Sequence, residues 1–368
     1  MLKRRRLDDD SFDDGAPSKP LLYLVFDDWA RGYSIRMVDL PYDDDDDDSA
    51  GLQRRPLAAE LLLSGGRRTD ATKQAPQHPP VFIRIEAPRG MPRHVAPAFG
   101  TKILFMHPNV IDGKPLPSWA PKRHVSVLDV RGPYFRYGPR HVAPAGGLAD
   151  PIYIPVSDEL LFALAAVGSF ELLHPPAPAP EPDIGSVWSW HKLSAPPFEA
   201  KSVTAYAVHP DGRTLFVSVE KDASVAPFTF DATDEYEIML GGGGVWRRHG
   251  EWALPFTGRA YFDRELDAWV GLSRDPDSTG HICSCNAVPA DSDDGDGQFF
   301  RARKLSKEKL FSEDPVQRHV GATLVYMGGK SNFCLVECIS VYEKNDSYAE
   351  EKNDGCVDEM EYTDDETD

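Results

Sequence analysis

The sequence predicts an all-β protein built from a repeated group of strands, and three observations support this. Short runs rich in Val, Ile, Phe, Tyr and Trp alternate with turn signals along most of the chain. Four of these runs, TKILFM, ELLFAL, RTLFVSV and DAWVGL, are alike in shape. Their central aromatic residues recur at intervals of 57, 54 and 53 residues: Phe105, Phe162, Phe216 and Trp269. A period of about fifty residues with about four strands in each is typical of a β-propeller blade.

Local patterns predict the turns between these strands. Residues 210–212, Pro-Asp-Gly, predict a tight turn because glycine readily takes a positive φ. Residues 214–219 alternate so that both faces of the strand carry apolar side chains, as expected for a strand packed on both sides. Residues 157–167, SDELLFALAAV, have the composition of a helix that begins at Ser157. Their alignment with DGRTLFVSV favours a hairpin that turns at residues 157–159, and we expect strands here.

Both ends of the repeat carry runs that predict ring closure. LLYLVFDD and YSIRMVDL resemble the second and third strands of a blade that lacks its first strand. Near the other end, ATLVYMG, NFCLVE and CISVYE form a further group of strands. A ring closes well when one blade combines strands from both ends. We expect six blades, with five as the alternative.

The predicted domain organisation is one β-propeller over residues 21–343, with polar segments outside the strand pattern. Residues 1–20 predict a flexible leader, and residues 344–368 predict a disordered acidic tail. Residues 41–80 contain an aspartate run and a Pro/Gln tract, and they predict a disordered insertion.

The net charge of −19 comes mostly from these polar segments. Asp43–Asp48 contributes −6 and Glu343–Asp368 contributes −10, which leaves −3 for the rest of the chain. An acidic balance disfavours a nucleic-acid partner. No apolar run approaches the ~18 residues of a membrane helix, and no secretory signal follows the first residues, so we expect no membrane association.

The cysteine count and the basic cluster bear on the compartment. Five cysteines are an odd number, which without a secretory signal favours reduced thiols and a cytoplasmic or nuclear location. Residues 3–6, Lys-Arg-Arg-Arg, are too short a cluster to establish a nuclear signal, and acids follow them at once.

Several longer motifs resemble a known plant family. These motifs are YLVFDDWARGYSIRMVDL, AFGTKILFM, HPDGRTLFVS, HGEWALPFTGRAYFDRELDAWVGL, GHICSC and HVGATLVYMG. They resemble a grass-expanded family known as a domain of unknown function, with kelch-like or F-box-associated propeller character. The resemblance covers residues 20–340 and is most specific over Gly250–Leu272. It implies a kelch-like β-propeller but supplies no activity or catalytic residue. No F-box-like helical module precedes Leu21, so we do not expect a ligase-adaptor role.

The spacing of His281, Cys283 and Cys285 is the strongest candidate for a metal site. These side chains share one face of a strand, and thiolate and imidazole are zinc ligands. Neighbouring positions on that face are, however, ~6.6 Å apart, which is too far for adjacent ligands with ~2.3 Å bonds. We therefore expect buried, inert thiols here, and likewise at Cys334 and Cys338.

The remaining candidates for chemistry have simpler interpretations. Residues 241–244, Gly-Gly-Gly-Gly, lack the Lys-Ser/Thr of a phosphate-binding loop, and we expect a flexible turn. Asp263, Glu265 and Asp267 predict solvated acids in a turn between strands. We expect five tryptophans to be packing anchors and not a sugar-binding platform: Trp188, Trp190, Trp246, Trp252 and Trp269. No G-x-S-x-G, H-E-x-x-H or EF-hand pattern occurs, so we predict no catalytic, cofactor-binding or metal-binding residue and no cofactor.

These observations favour a non-enzymatic interaction module that binds a protein or peptide on one loop face of the propeller. The alternative is an enzyme or sugar binder that uses the central channel, which converging acids, His or Arg in the channel would favour. A third possibility is an acidic scaffold that acts on basic partners through its tail.

Overall fold

The computed structural model describes most of the chain between residues 21 and 341. Within these residues the protein is all-β, and its helical segments are three short 3-10 turns, Trp29–Arg31, Ala200–Ser202 and Pro276–Ser278. The described residues are 21–40, 79–88, 90–107, 110–111, 114–115, 124–132, 134–141, 150–165, 169–176, 188–222, 224–232, 244–289, 303–328 and 331–341.

The strands of the described residues are numbered in chain order. They are β1 (Leu21–Asp27), β2 (Tyr33–Asp39), β3 (Val81–Ile85), β4 (His94–Ala98), β5 (Lys102–Met106), β6 (Val110–Ile111), β7 (Lys114–Pro115), β8 (His124–Asp129), β9 (Tyr134–Pro139), β10 (Ile152–Val156), β11 (Leu160–Ala165), β12 (Ser169–Leu173), β13 (His191–Lys192), β14 (Val203–Val208), β15 (Thr214–Lys221), β16 (Ser224–Asp231), β17 (Trp246–Arg248), β18 (Phe256–Asp263), β19 (Ala268–Ser273), β20 (Ile282–Asn286), β21 (Lys304–Leu305), β22 (Gln317–Gly328) and β23 (Asn332–Val341).

The strands form antiparallel units that follow one another along the chain. The first sheet is β1-β2-β3, the second is β4-β5-β8-β9 and the third is β10-β11-β12-β13. The fourth unit (β14–β17) and the fifth unit (β18–β21) join into one eight-stranded sheet through the parallel pair β14–β18. Strands β22 and β23 form a C-terminal hairpin, and β6 and β7 form a small separate hairpin.

The predicted repeat corresponds to the second strand of each four-stranded unit. The four anchor aromatics lie on β5, β11, β15 and β19, and each is at most 1% exposed: Phe105, Phe162, Phe216 and Trp269. The alternation in β15 is also confirmed, since Leu215 and Val217 pack towards the third sheet and Phe216 packs towards the fifth unit. The second strand is thus buried on both faces, which explains why its pattern is the most visible in the sequence.

The predicted turns are confirmed where the structure describes them. Residues 157–159 turn between β10 and β11, so the helix-like composition of this segment does not produce a helix. Between β14 and β15, Gly212 has a φ of +71°, and an Asp211 carboxylate oxygen accepts the backbone N–H groups of Arg213 and Thr214 at 2.8 and 2.9 Å. Tertiary pairing of β10 with β11 therefore overrides local helix propensity.

Apolar clusters join each unit to the next one in chain order. Ile35 of the first sheet packs with Phe105 and Leu128 of the second, and Leu104 of the second lies in a cluster with Leu161 of the third. Similar clusters join the third sheet to the fourth unit, the fourth to the fifth, and the fifth to the C-terminal hairpin. Among the described residues, none of the five clusters joins the C-terminal hairpin to the first sheet.

One sequence expectation about strands needs correction. The pattern predicts separate strands for NFCLVE and CISVYE, but the structure joins NFCLVECISV into the single strand β23 because its pairing with β22 continues through the whole segment. The last strands of the third sheet and the fourth unit are short, since β13 has two residues and β17 has three.

Several sequence predictions fall outside the described residues. They concern the leader (1–20), most of the insertion (41–78), the tail (344–368), and parts of the loops between strands. Within the described part of the chain, no helix has the length and apolar character needed to cross a bilayer.

Candidate functional site

Strand β9, with the sequence YFRYGP, exposes three aromatic side chains at the edge of the second sheet. Tyr134, Phe135 and Tyr137 are 44%, 47% and 80% exposed. Because β9 is the last strand in the order β4-β5-β8-β9, its outer backbone groups have no strand partner within the described residues. An exposed strand edge can pair with an extended segment of another chain.

Backbone packing holds β9 in place despite this exposure. Gly138 is buried, and a Cβ at this position would lie 2.6 Å from a methyl group of Val127 and 3.2 Å from the Trp188 ring. Arg136 lies over the Tyr134 ring, with its Cζ 5.1 Å from the ring centroid. The strand is therefore anchored at its C-terminal end and presents an aromatic and cationic surface at its N-terminal end.

The charges beside β9 leave this surface positive. Within the described part of the chain, the carboxylate that contacts this strand is Asp129, which accepts from Lys102 Nζ at 3.1 Å and from the Tyr134 hydroxyl at 3.4 Å. Although burial acts in the opposite direction, the hydrogen bond from Lys102 lowers the pKa of Asp129, so this pair is internally neutral at pH 7. The exposed Arg131 and Arg136 remain to interact with an anionic partner.

The first strands of several units approach one another, and we call β4, β10, β14, β18 and β22 the first-strand row. Strand β4 contacts β10, β14 pairs with β18 in parallel, and β18 contacts β22. At the β18 position of the row, Gly258 has a φ of +72° and a register shift separates Thr257 from Tyr261. Bulges of this kind redirect the neighbouring side chain, here Arg259.

Arg259 crosses from the fifth unit to the third sheet. Its Nη2 donates to the Pro155 carbonyl at 3.0 Å, and its Cζ lies 4.5 Å from the centroid of the Tyr261 ring. Tyr206 of β14 is its register partner. Burial raises the pKa of Tyr206, while the Arg259 guanidinium acts in the opposite direction. Arg259 therefore lies over the Tyr261 ring, with Tyr206 at the neighbouring register position.

A second group of titratable side chains is buried between the second and third sheets. His141 Nδ1 lies 3.4 Å from the Tyr153 hydroxyl, and His141 Nε2 lies 3.4 Å from a carboxylate oxygen of Glu171. The Trp190 ring covers the imidazole, with ring centroids 4.9 Å apart. Burial lowers the pKa of His141 to about 4 and raises the pKa values of Tyr153 and Glu171. With 1% exposure of its side chain, His141 is out of reach of a substrate in this structure.

Two surface clefts are lined by arginines, and three of these arginines form ion pairs. One, of about 440 Å³, is lined by Arg274 and Arg303, which form ion pairs with Glu220 and Asp275. The other, of about 580 Å³, is lined by Arg31 and by Arg84, which pairs with Asp28 at 3.0 Å.

The candidate metal spacing does not bring its three residues to one point. Cys283 and Cys285 are 0% and 2% exposed, and both belong to the apolar cluster that contains Trp269. Burial raises the pKa of the Cys283 thiol to about 11 and raises that of Cys285 further. The His281 ring instead contacts the Ser306 carbonyl, with Nδ1 at 3.0 Å. Among the described residues, no group of three His, Cys, Asp or Glu side chains is placed to share a metal ion.

Two site-level expectations need correction. The turn pattern predicts a solvated Asp263, but this residue is 0% exposed and its Oδ1 accepts the backbone N–H groups of Glu265 and Leu266, which closes the β18–β19 turn. Cys338 is predicted to pack in the core with Cys334, but Cys338 is exposed and Cys334 is half-buried because β23 lies at the edge of a two-stranded unit.

Tryptophan packing agrees with the expectation for the described tryptophans of the repeat. Trp252 and Trp269 are at most 9% exposed, and Trp188, Trp190 and Trp246 are half-buried. Four of these indole N–H groups donate to backbone carbonyls of Pro139, His174, Ser194 and Val208, at 2.6 to 3.2 Å. Buried rings with satisfied N–H groups act as packing anchors.

The family comparison covers nearly the whole chain. A family model described as "Protein of unknown function (DUF1668)" matches residues 19–364. The chain belongs to this family. The DUF1668 match contains every strand described above and most of the acidic tail. A comparison with the curated proteins returned no match.

Comparison with solved structures gave distant likenesses to this DUF1668 chain. TolB from Acinetobacter baumannii is 12% identical with a TM-score of 0.33, covering 67% of this chain and 54% of TolB. A chain from a Saccharomyces cerevisiae complex of Dbp5 with Nup159, Gle1, IP6 and ADP is 14% identical with a TM-score of 0.21, covering 66% of this chain and 57% of that one. The chain thus spans little more than half the length of these two solved chains.

Sequence reasoning missed three exposed or central features of this DUF1668 chain. They are the aromatic edge of β9, the Arg259 side chain, and Trp29, which is 63% exposed with a φ of +62°. The sequence YFRY carries a signal for the aromatic edge of β9. It places four large side chains in succession, and a strand with one buried face would instead alternate apolar and polar residues. For Arg259 the signal was the adjacent glycine within a strand, which marks a bulge.

Proposed function

We propose that this chain is a non-enzymatic interaction module that binds a protein or peptide partner, and that an extended segment of the partner pairs with strand β9. The observation that carries the proposal is the exposure of Tyr134, Phe135 and Tyr137 on an edge strand. Large exposed aromatic groups beside unpaired backbone are a surface that monomeric proteins rarely leave bare. The sequence pattern favours a loop face of the propeller, whereas these exposed side chains favour strand β9 as the binding surface.

The charges define the partner segment. Arg131 and Arg136 are exposed beside the aromatic rings, whereas Asp129 is paired with Lys102. An extended segment that alternates acidic and apolar residues would place its acids on the arginines and its apolar side chains on the rings. Main-chain pairing with β9 would supply affinity, and the side chains would supply selectivity.

We further propose that the units are blades of a kelch-like propeller. Supporting this, each unit packs on the next through an apolar cluster, and first strands lie beside first strands. Counting the first sheet and the C-terminal hairpin separately makes six blades, the number that the repeat favours. If the hairpin completes the first sheet at the free edge of β1, the number is five.

The test is selection of peptides from a displayed random library by the full-length protein. We expect enriched peptides to alternate acidic and apolar residues. Tyr137→Ser and Arg136→Glu should each weaken their binding at least tenfold, which corresponds to about 1.4 kcal/mol. A matched control, Val320→Ser, removes a 63% exposed apolar side chain from a different strand and should leave binding unchanged.

A further variant distinguishes binding through strand β9 from binding through the loop face. Trp29→Ser removes an exposed aromatic residue from the β1–β2 connection. Loss of binding in Trp29→Ser with full binding in Tyr137→Ser would move the contact to the loop face and contradict the β9 assignment. Turnover of a small glycoside or ester that disappears on changing one residue of the first-strand row would contradict the non-enzymatic proposal altogether.

A further inference from the structure

We infer that Arg259 is the centre of a binding site for a single carboxylate group, located in the first-strand row and separate from strand β9. The site joins Arg259 and Tyr261 of β18, Tyr206 of β14 and Tyr326 of β22. This inference does not depend on the partner proposed for β9.

The position of Arg259 is set by backbone geometry. The bulge at Gly258 turns the side chain away from the regular β18 register, and Nη2 donates to the Pro155 carbonyl at 3.0 Å. Pro155 lies 104 residues earlier in the chain, on β10. The fifth unit and the third sheet therefore hold the guanidinium in one place before any ligand arrives, which reduces the entropy lost on binding.

Aromatic rings form one side of the site. The Arg259 Cζ lies 4.5 Å from the Tyr261 centroid, within the range of a cation–π contact. The centroids of the Tyr261 and Tyr326 rings are 6.3 Å apart, and Phe333 supports Tyr326 at 5.1 Å. These half-buried rings limit the hydration of the cation on this side.

The guanidinium has no anionic partner in the described part of the chain, where no carboxylate oxygen lies within 4 Å of it. Its Nε is buried and makes no hydrogen bond with a described residue. By contrast, Arg274 and Arg303 are both paired with carboxylates. A desolvated cation with an unsatisfied N–H is unfavourable unless an acceptor is supplied. A ligand carboxylate would supply it.

The surrounding charges select a singly charged ligand. Within the described part of the chain, Arg259 is the cation that contacts the Tyr261 ring, and one guanidinium in contact balances one negative charge. Asp263 ends the same strand and Glu265 follows in the turn. After burial, these two acids raise the pKa of Tyr326, and Arg264 between them acts in the opposite direction. A phosphate dianion would be repelled by these acids. The planar fork of a guanidinium matches the two oxygens of a carboxylate.

The carboxylate could belong to a small molecule or to an acidic side chain of a peptide, including the tail of this chain. Residues 343–368 contain 12 acidic residues, and the family match extends to residue 364. A small molecule and an acidic side chain would make the same contact with Arg259, so the experiment tests each of them separately.

The experiment follows the arginine side-chain Nε–H resonances of the full-length protein by NMR while sodium acetate is added. Sodium chloride at equal ionic strength and inorganic phosphate are the anion controls. The Arg259 resonance, assigned through its absence in Arg259→Lys, should shift along a saturating curve at millimolar acetate. The Arg274 resonance, which belongs to a paired arginine, should not move.

Variants then connect the shift to the site. Arg259→Lys, followed through the ring resonances of Tyr261, should weaken acetate binding roughly tenfold, because the two-pronged contact is lost. Tyr261→Phe keeps the ring and tests whether the hydroxyl contributes. Replacing Asp358, Glu359 and Glu361 by their amides in the full-length chain tests the tail. Tighter acetate binding in that variant would identify the tail as a competing occupant of the same site, and unchanged binding would identify an external carboxylate.

Three results would overturn the inference. One is an Arg259 resonance that does not respond to acetate up to about 100 mM, where a millimolar site would be saturated. Another is an equal response to chloride. The third is a stronger response to phosphate than to acetate, which would show that the site does not select a single carboxylate.

Discussion

Gly32 takes a backbone conformation that an L-amino acid with a side chain rarely adopts. Its φ is +85°, and a Cβ there would lie 2.1 Å from the Ile85 carbonyl oxygen. The β1–β2 connection therefore packs directly against the backbone that follows β3. This close approach holds the first sheet together at the end that carries the exposed Trp29.

Substitutions at two glycines distinguish the free-energy cost of backbone strain from the cost of a steric clash. Gly212 has a φ of +71°, and a Cβ there would meet no atom within 4 Å, so Gly212→Ala should cost about 1–2 kcal/mol of unfolding free energy through strain alone. Gly32→Ala should cost more, because the backbone at residues 85–87 must also move. Urea unfolding curves of the two variants measure the difference, and equal losses would contradict the close approach at Gly32.

His141 is predicted to make the protein less stable in mildly acidic solution. In the folded state burial lowers its pKa to about 4, whereas an unfolded chain has a histidine pKa near 6.5. Between these two values the unfolded chain binds more protons, so stability rises with pH. The difference of about 2.5 units corresponds to about 3 kcal/mol, lost progressively as pH falls from about 6.5 to about 4.

The measurement compares unfolding free energies of the wild type and His141→Gln between pH 4 and pH 7. The variant should show the weaker dependence. Glu171 has the opposite effect, because burial raises its pKa and its contribution to the free energy of unfolding therefore declines as pH rises. Both proteins contain Glu171, so the difference between their two curves reports His141. Parallel curves would show that His141 is accessible to protons in the folded state.

At the scale of single elements, the C-terminal hairpin and the acidic tail are predicted to differ in their contribution to stability. Leu324 of β22 is 3% exposed and packs with Val270 and Leu272 of the fifth unit. The tail after Glu343 is polar and acidic. Ending the chain after Glu343 should leave the melting temperature nearly unchanged, whereas ending it after Val320 removes most of the hairpin and should lower it strongly.

A single substitution supports the truncation experiment. Leu324→Ala should cost about 2–5 kcal/mol, the usual range for a buried leucine. Thermal unfolding monitored by circular dichroism measures all three proteins. A truncation after Val320 that leaves stability intact would show that the hairpin is not needed and would remove the support for ring closure.

The amino-acid sequence predicts some strands more clearly than others. A second strand such as β15 is buried on both faces, and its apolar run is visible without any structure. Strand β9 is exposed on both faces at its N-terminal end, so its pattern does not report which side meets the core. The short strands β13 and β17 are defined by pairing with β12 and β16, and pairing of two or three residues has no periodic signal.

At the scale of the whole molecule, limited proteolysis should leave one resistant body. Apolar clusters join the third sheet to units on both sides of it, so a break near residue 180 would expose buried residues such as Phe170 and Phe230. We expect early cleavage within residues 41–80 and after residue 343, with the remaining fragments staying associated. Two separately stable fragments divided near residue 180 would contradict a single domain.

By itself the sequence determined the all-β class, the repeat and the buried second strands, because alternation, turn residues and β-branched or aromatic content are local properties. The tertiary structure decided what residues distant in sequence form together. It brought Arg259 to Pro155, enclosed His141 beside Glu171, and turned Asp263 from an expected surface acid into a buried turn cap. It also left β9 without an outer partner within the described residues. The physical reason is that burial, ion pairing and edge exposure depend on which strands are neighbours, and contacts across 30 to 104 residues leave no periodic trace in the chain.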